Sequence, residues 1–215
     1  MRPPPPSLVV FDLGGVLVRI ARSWDEACAA AGVPRRPGAD VTSARLARDP
    51  WVVAYETGAV TREAFLSGVA ASTGGLYGPE EVARVHDAWL IAEYPGLPAL
   101  FDALDAAGLP TAVLSNTNEA HWAAMYPSAG ASPRFPTLAR VRHPHASHRL
   151  GVRKPDAAAF RAVEATAGTA GAGVWFFDDL APNVDAARAH GWTAVLVDPS
   201  DPVTAMRAAL AAALG

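Results

Sequence analysis

Short apolar runs alternate with stretches of helical spacing along most of the chain. Five such runs are bounded by turn residues, a pattern that predicts buried strands of a parallel sheet. The predicted strands cover residues 8–11, 111–114, 137–141, 174–177 and 193–197. Helical spacing predicts helices over residues 97–107, 118–125, 155–167, 182–190 and 203–214. Alternating strands and helices form βαβ units, so we expect an α/β fold with a Rossmann-like parallel sheet and helices on both faces.

The stretch between the first two predicted strands has a different pattern. Residues 20–93 show little strand character, and their apolar spacing is helical. The predicted helices cover residues 24–31, 44–47, 51–55, 62–72 and 79–93. The block is too long for a single crossover. We therefore expect an inserted all-helical domain over residues 20–94 and a core domain made of residues 7–19 and 95–215.

Composition is typical of a folded protein. Of the 215 residues, 51% are hydrophobic and 18% are charged, which suits a packed core and argues against disorder. A net charge of −3 argues against a nucleic-acid partner. The single cysteine, Cys28, excludes an internal disulfide framework and fits a reducing compartment.

The amino terminus carries no convincing targeting or anchoring signal. Residues 1–6 include four consecutive prolines, for which we expect a disordered lead. The apolar run that follows is too short to span a bilayer and contains Asp12. We expect a cytoplasmic protein without a membrane partner. Nothing in the sequence indicates its oligomeric state.

Polar residues stand at the carboxyl ends of three predicted strands. Asp12 follows the first strand, and Ser115 and Asn116 follow the second. Asp178 and Asp179 follow the fourth. Each of them alone is compatible with a turn or a helix cap. Because the carboxyl ends of parallel strands share one edge of the sheet, we expect these side chains to converge.

This combination suits phosphoryl transfer. Three carboxylates in one place repel one another and favour a divalent cation such as Mg²⁺, which takes oxygen ligands and aligns a phosphate for attack. Ser115 can donate to phosphate oxygens, and Lys154, just before a predicted helix, can bridge a carboxylate and the phosphate. An aspartate can act as the covalent nucleophile, forming an aspartyl-phosphate that water then hydrolyses.

Four motifs, in order along the chain, resemble those of the haloacid dehalogenase (HAD) superfamily. They are Asp-Leu-Gly-Gly-Val at 12–16, Leu-Ser-Asn at 114–116, Arg-Lys-Pro at 153–155 and Asp-Asp at 178–179 with Asn183. The resemblance extends over residues 8–198, and the helical insertion is similar to the C1 cap of that superfamily. Within it, the chain is most similar to phosphatases of the glucose-1-phosphate phosphatase type, which begin Phe-Asp-Leu-Gly.

The resemblance implies a metal site with specific ligands. Asp12 would be both the nucleophile and a Mg²⁺ ligand, and the backbone carbonyl of Gly14 would also bind the metal. Asp179 would bind Mg²⁺ directly and Asp178 through water, with Asn183 orienting their loop.

The resemblance also implies a phosphate site and an activity. Ser115 and the Asn116 amide would hold phosphate oxygens, and Lys154 would stabilise the charge around the nucleophile and contact the phosphate. The expected function is a Mg²⁺-dependent phosphatase that hydrolyses a small phosphorylated metabolite, such as a sugar phosphate, through an aspartyl-phosphate. The specific substrate cannot be inferred, because the cap sets specificity.

One position departs from the pattern of the family. Most of its phosphatases carry a second Asp two residues after the nucleophile as general acid and base, and here that residue is Gly14. General acid catalysis is worth about 10² to 10⁴ in rate. We therefore expect either a substrate with a good leaving group or a proton donor supplied by the cap.

Two rival functions remain open. A 2-haloacid dehalogenase uses the same nucleophile and lacks the second Asp, but it needs no metal and leaves Asp178 and Asp179 unexplained. A non-catalytic HAD-like protein that binds a phosphoryl ligand would account for Gly14.

Three histidines lie close together in the sequence between the third predicted strand and the lysine motif. His143, His145 and His148 have a spacing that can chelate a metal. No carboxylate or thiolate accompanies them, so we expect histidines of a loop rather than a metal site.

Overall fold

A five-stranded sheet, parallel throughout, lies at the centre of the molecule. The computed structural model describes residues 3–38, 41, 43–46, 48–127 and 133–214. The sheet consists of β1 (Leu8–Phe11), β4 (Thr111–Ser115), β5 (His143–Ala146), β6 (Val174–Asp178) and β7 (Thr193–Leu196). Their order in the sheet is β5-β4-β1-β6-β7. The expected Rossmann-like α/β architecture is confirmed.

Helices cover both faces of this sheet. They are α6 (Leu97–Ala106), α7 (Glu119–Met125), α8 (Ser147–Leu150), α9 (Ala157–Ala167), α10 (Ala181–Ala189) and α11 (Pro202–Leu214). Alternate residues of β1 point to opposite faces. Val9 and Phe11 belong to one hydrophobic cluster with α6 and α11, whereas Leu8 and Val10 belong to a second with α9 and α10. Burial on both faces explains why β1 is a continuous apolar run.

The central strand β1 is the point at which the chain changes direction across the sheet. From β1 the core continues to β4 and β5 on one side, and it then returns to β6 and β7 on the other. In open α/β sheets, ligands bind outside the carboxyl ends of the strands at such a switch point. Asp12 immediately follows β1 and therefore lies at this position.

The insertion between β1 and β4 forms a helical unit with its own core. It contains α1 (Trp24–Ala31), α2 (Ser43–Leu46), α3 (Pro50–Glu56), α4 (Arg62–Ser72) and α5 (Pro79–Asp87). Apolar residues of these helices form a third hydrophobic cluster, separate from the two clusters of the sheet. Ala47, at the end of the helix predicted over 44–47, lies outside the described residues.

Two short strands that the sequence pattern does not predict lie at the base of the insertion. β2 (Val18–Ile20) and β3 (Leu90–Glu93) pair antiparallel. The helix predicted over 79–93 is therefore wrong beyond Asp87. Pairing between residues about 70 apart is decided by tertiary contact, which helical periodicity cannot report.

The strand predicted over residues 137–141 is also wrong. Residues Pro136–Arg140 form a 3₁₀ helix, and the edge strand is β5, in the stretch where we expected a histidine loop. The Glu93 carboxylate accepts hydrogen bonds from the backbone N–H and the hydroxyl of Thr137 at 2.7 and 2.8 Å, which stabilises the helical turn. Pro144 is compatible with β5 because this strand is at the edge of the sheet.

The expected disorder of the proline-rich lead is not seen in residues 3–6. The Pro4 carbonyl accepts a hydrogen bond of 3.0 Å from the indole N–H of Trp175, and Pro6 is buried. Met1 and Arg2 lie outside the described residues. None of the helices in the described part of the chain is long and apolar enough to cross a membrane.

The loop after α3 joins the insertion closely to the sheet. The Ser147 hydroxyl donates a hydrogen bond of 2.5 Å to the Glu56 carbonyl. Gly58, with a φ of +69°, lies against the backbone of His148, where an added Cβ would be 2.5 Å from the carbonyl oxygen. Only glycine meets both requirements here, the left-handed backbone and the close approach.

We predict that Gly58→Ala destabilises the protein by more than Gly74→Ala. Both glycines have a left-handed φ, +69° and +70°, but an added Cβ at Gly74 meets nothing within 4 Å. The control should cost about 1–2 kcal/mol of unfolding free energy from backbone strain, and Gly58→Ala should cost more because of the clash with His148. Urea denaturation of both variants measures the difference, and equal losses would contradict the close contact.

Candidate active site

Asp12 is buried at the carboxyl end of β1. Its backbone N–H donates to the carbonyl of Phe177, and its Oδ1 accepts a hydrogen bond of 2.7 Å from the backbone N–H of Leu13. These two bonds fix the backbone and one carboxylate oxygen of Asp12. Burial raises the pKa of Asp12, and the nearby charge of Lys154 opposes this effect.

Lys154 joins two carboxylates in the interior. Its Nζ lies 3.1 Å from Asp12 Oδ1 and 2.6 Å from Asp178 Oδ2, and its side chain has no exposed surface. The two acids outweigh the effect of burial and raise the pKa of Lys154, so it stays protonated. The resulting triad of Asp12, Lys154 and Asp178 places one positive charge between two negative ones.

The amide side chains of two asparagines fix this triad. Asn116 exchanges two hydrogen bonds with the backbone of Lys154, at 2.9 and 2.8 Å. Asn183 donates to both oxygens of Asp178 at 3.1 Å. The Ser115 hydroxyl, at the end of β4, lies close enough to Asp12 to favour its charged form. Sequence-distant motifs therefore meet at one edge of the sheet, as expected.

Asp179 completes an acidic cluster at this edge. Ligand oxygens of Asp12, Asp178 and Asp179 lie within 4.8 Å of one another. Burial, together with the charges of the other two carboxylates, raises the pKa of Asp179 to about 7. Gly15, at φ +77°, passes so close to the Asp179 carboxylate that any larger residue would overlap it.

The cluster fits a hard divalent cation. Both oxygens of Asp178 already accept hydrogen bonds, from the Leu180 N–H and Asn183 at Oδ1 and from Lys154 and Asn183 at Oδ2. Asp12 and Asp179 instead border an open cavity. Oxygen-only donors that repel one another without a cation are the usual setting for Mg²⁺ or a similar ion.

A cavity of about 480 Å³ lies between the acidic edge of the sheet and the insertion. Its floor includes Asp12, Gly14, Ser115, Asn116, Asp179 and Asn183. The walls from the insertion are largely apolar and aromatic, among them Trp24, Val52, Tyr55, Phe65, Val69 and Trp89. The volume is in the range of small-molecule sites.

A glutamate of the insertion also borders this cavity, and sequence reasoning missed it. Glu56, the last residue of α3, lies with its Oε2 3.0 Å from Nη1 of Arg153. Burial raises the pKa of Glu56, the charge of Arg153 lowers it, and that of Asp12 raises it. A single acid at a helix end has no sequence signal of its own, because the pairing with the lysine motif arises only in the fold.

Two histidines that the sequence did not single out meet at the junction of the insertion and the core. His86 of α5 and His121 of α7 stack with ring centroids 3.9 Å apart and planes 8° apart, and both border the cavity. Burial lowers the pKa of His86, and it lowers that of His121 well below the usual range. Burial of the stacked pair therefore favours the neutral form of both rings.

The three histidines near the lysine motif do not converge. His145 in β5 contacts the Val113 carbonyl and the Thr166 hydroxyl, and His148 in α8 contacts the Thr117 carbonyl. Over the described ranges, the only group of metal-ligating side chains is the cluster of three aspartates. His145 and His148 therefore have structural hydrogen-bond roles, in a strand and a helix rather than a loop.

A parallel sheet with a lysine-bridged carboxylate cluster at its switch point defines a Rossmann-like α/β enzyme. A family model described as haloacid dehalogenase-like hydrolase matches residues 6–191, so the chain belongs to this family of hydrolases. The resemblance inferred from the motifs is confirmed.

Solved structures agree with this fold. A HAD family enzyme from Bacteroides thetaiotaomicron has a TM-score of 0.73 at 19% identity, over 94% of this chain and 98% of that chain. A predicted HAD-like family hydrolase from Porphyromonas gingivalis has a TM-score of 0.72 at 22% identity, with 95% and 98% covered. The L-2-haloacid dehalogenase from Xanthobacter autotrophicus has a TM-score of 0.60 at 18% identity, with 89% and 77% covered. At these identities the likeness shows the fold alone.

We predict that Lys154→Met destabilises the protein by about 3–5 kcal/mol at neutral pH, because two buried carboxylates lose their counter-ion. Arg140→Met is the matched control, since Arg140 pairs with Asp102 and Asp105 near the surface and should cost about 1 kcal/mol or less. Urea denaturation measures both. A loss for Lys154→Met no larger than that of the control would show that the buried pairs contribute little.

We predict that stability falls on acidification through the histidine stack. Below about pH 6.5 the unfolded chain binds protons that the folded protein excludes from His86 and His121. The loss is limited to about 1.4 kcal/mol per pH unit for each histidine. His121→Gln should flatten the dependence of the unfolding free energy on pH, measured by urea denaturation across this pH range. Identical pH profiles of this variant and the wild type would contradict this linkage.

Proposed function

We propose that the chain is a Mg²⁺-dependent phosphatase that hydrolyses a small phosphorylated metabolite through an aspartyl-phosphate on Asp12. The observation that carries this proposal is the buried Asp12–Lys154 pair beside Asp179 at the floor of one cavity. The relative from Bacteroides thetaiotaomicron has been solved in complex with magnesium and inorganic phosphate, with a TM-score of 0.72 and 19% identity.

The proposed metal site uses Asp12, Asp179 and the carbonyl of Gly14, with Asp178 acting through water. The saturated hydrogen bonding of Asp178 supports an indirect role. Asn183 holds Asp178, and through it the turn that carries Asp179. When bound, the cation neutralises phosphate charge and aligns the phosphorus with the nucleophile.

The proposed phosphate site uses the ends of β4 and β1. The side chain of Asn116 is occupied by the backbone of Lys154, which leaves its backbone N–H as the donor to a phosphate oxygen. Ser115 supplies its hydroxyl beside Asp12. The ion pair with Lys154 holds the Asp12 carboxylate in the orientation needed for attack. Lys154 also stabilises the negative charge of a phosphate bound at this edge of the sheet.

We propose that residues 20–94 act as a cap over a core made of residues 7–19 and 95–215. The wall of the cavity contributed by the cap excludes water from the phosphate, which strengthens electrostatic interactions there. The apolar and aromatic side chains of this wall favour a substrate whose organic part has an apolar face. Polar groups of the same wall, among them the indole N–H of Trp24 and the hydroxyl of Tyr55, can pair with the hydroxyl groups of a sugar phosphate.

A 2-haloacid dehalogenase is the second candidate. Gly14 favours it, and a dehalogenase is among the structures of similar fold. Asp178 and Asp179 argue for the phosphatase, because a reaction at carbon needs no acidic cluster and the single charge of Lys154 offsets only part of the repulsion among three carboxylates.

We predict Mg²⁺-dependent release of inorganic phosphate from a panel of sugar, alkyl and aryl phosphates. Chelation with EDTA should abolish this release, and Asp12→Asn should lower it at least about 10³-fold, because the covalent nucleophile is lost while the fold remains. Thermal unfolding of Asp12→Asn checks that the variant is folded.

The outcomes separate the candidates. EDTA-resistant release of halide from 2-haloacids, without phosphate release, would replace the phosphatase by the dehalogenase. Binding of inorganic phosphate with no turnover across the panel would indicate a non-catalytic phosphoryl-binding protein.

A further inference from the structure

A phosphatase with this active site needs a source for the proton that a poor leaving group takes up. Gly14 has no side chain to supply it. The inference below rests on the proposed phosphatase activity and concerns which residue replaces that donor. Within the described ranges, three residues with carboxyl side chains border the cavity: Asp12, Asp179 and Glu56. Two of these are the proposed nucleophile and a proposed metal ligand, which leaves Glu56.

The position of Glu56 is set by contacts to the core. Its carbonyl accepts from Ser147, whose hydroxyl also accepts a hydrogen bond of 2.9 Å from the backbone N–H of Thr117. Thr117 follows directly after Asn116, so these contacts connect the end of α3 to the proposed phosphate site. Gly58 packs against His148 in the same junction. The cap therefore presents Glu56 beside the end of β4.

The carboxyl group of Glu56 is poised as an acid. Its Oε2 is buried, and none of the described residues donates a hydrogen bond to it, although Arg153 lies 3.0 Å away. An ionised carboxylate in this setting loses its hydration, and the hydrogen bonds that would offset this loss are missing. A protonated carboxyl loses much less on burial. Burial is accordingly the main cause that raises the pKa of Glu56.

Other titratable groups of the cap that border the cavity are weaker acids for this purpose. Burial lowers the pKa of His86 and favours its neutral form. A neutral imidazole ring holds only its single N–H proton, which it donates poorly. Burial raises the pKa of Tyr55 and that of Tyr94 above the already high usual value of a tyrosine. A general acid works best when its pKa is near the operating pH, and a glutamate with a raised pKa meets that requirement best.

We infer that Glu56 is the general acid that protonates the leaving oxygen of the substrate. Asp12 Oδ forms the bond to phosphorus while the bond from phosphorus to the leaving oxygen breaks. The electron pair of that bond remains on the leaving oxygen, which takes the proton of Glu56. The products of this step are an alcohol, the aspartyl-phosphate and the Glu56 carboxylate.

The same residue returns to its starting state in the second step. Water attacks phosphorus, the bond between phosphorus and Asp12 breaks, and its electron pair restores the Asp12 carboxylate. The Glu56 carboxylate takes one proton from the attacking water. Inorganic phosphate leaves, and the overall reaction consumes one phosphate monoester and one water.

The test compares Glu56→Gln with the wild type over phosphate monoesters of different leaving-group pKa. The value of kcat/KM covers the steps up to departure of the leaving group, so it reports the protonation of that group. For alkyl phosphates we expect Glu56→Gln to lower kcat/KM by a factor of about 10² to 10⁴. For p-nitrophenyl phosphate we expect kcat/KM to fall less than about tenfold, because nitrophenolate departs without a proton. Glu93→Gln, a matched change at the base of the cap outside the cavity, should leave both values close to wild type.

A purely structural or substrate-binding role of Glu56 would lower kcat/KM by the same factor for all leaving groups, and that result would overturn the inference. If thermal unfolding shows that the Gln variant is not folded, Glu56→Ala is measured over the same phosphate monoesters: a loss in kcat/KM that grows with the pKa of the leaving group supports Glu56, and a uniform loss counts against it. A wild type that releases no phosphate would refute the proposed function itself, whereas an active wild type with a uniform loss in Glu56→Gln would refute this inference alone.

Discussion

The buried ion pairs of Lys154 are the interaction on which the site depends. A lysine with no exposed surface is costly to desolvate, and it is stable here because Asp12 and Asp178 lie within 3.1 Å of its Nζ. The same charge allows two acids, one at the end of β1 and one at the end of β6, to stay buried close together. Asn116 and Asn183 hold the partners of this network by hydrogen bonds. Within the described ranges Asp179, the third acid, forms no such ion pair, and burial together with the other two carboxylates raises its pKa to about 7.

The insertion adds what the sheet alone lacks. The sheet edge presents carboxylates, a hydroxyl and backbone amides, but little apolar surface for the organic part of a substrate beyond side chains such as Leu13 and Leu180. The helices of the insertion supply that surface and enclose a cavity above Asp12. They also deliver Glu56, whose position depends on the contact of its carbonyl with Ser147 in the core. Substrate selection and proton donation would thus both depend on how the proposed cap is seated.

Much of the fold follows from local pattern, and the errors have a common cause. The buried strands β1, β4 and β6 are predicted correctly because burial on both faces demands a continuous apolar run. Residues 137–141 have the same apolar character, yet they form a 3₁₀ helix because the distant Glu93 satisfies its first backbone N–H groups. The edge strand β5 contains His-Pro-His and lacks an apolar run, since an edge position tolerates such residues. The pair of β2 and β3 likewise depends on a long-range contact.

The sequence by itself determined the α/β class, the inserted helices and the residues at the strand ends, because each follows from short-range periodicity and from polar residues that terminate apolar runs. Their convergence could be anticipated from topology alone. Only the tertiary structure decided which of them are in contact: Lys154 between Asp12 and Asp178, Asp179 toward the cavity, and Asn116 on the lysine loop. It also placed Glu56 at the cavity, beside Arg153. These outcomes depend on burial and on charges brought together by distant segments, and neither quantity is encoded in the local pattern of residues.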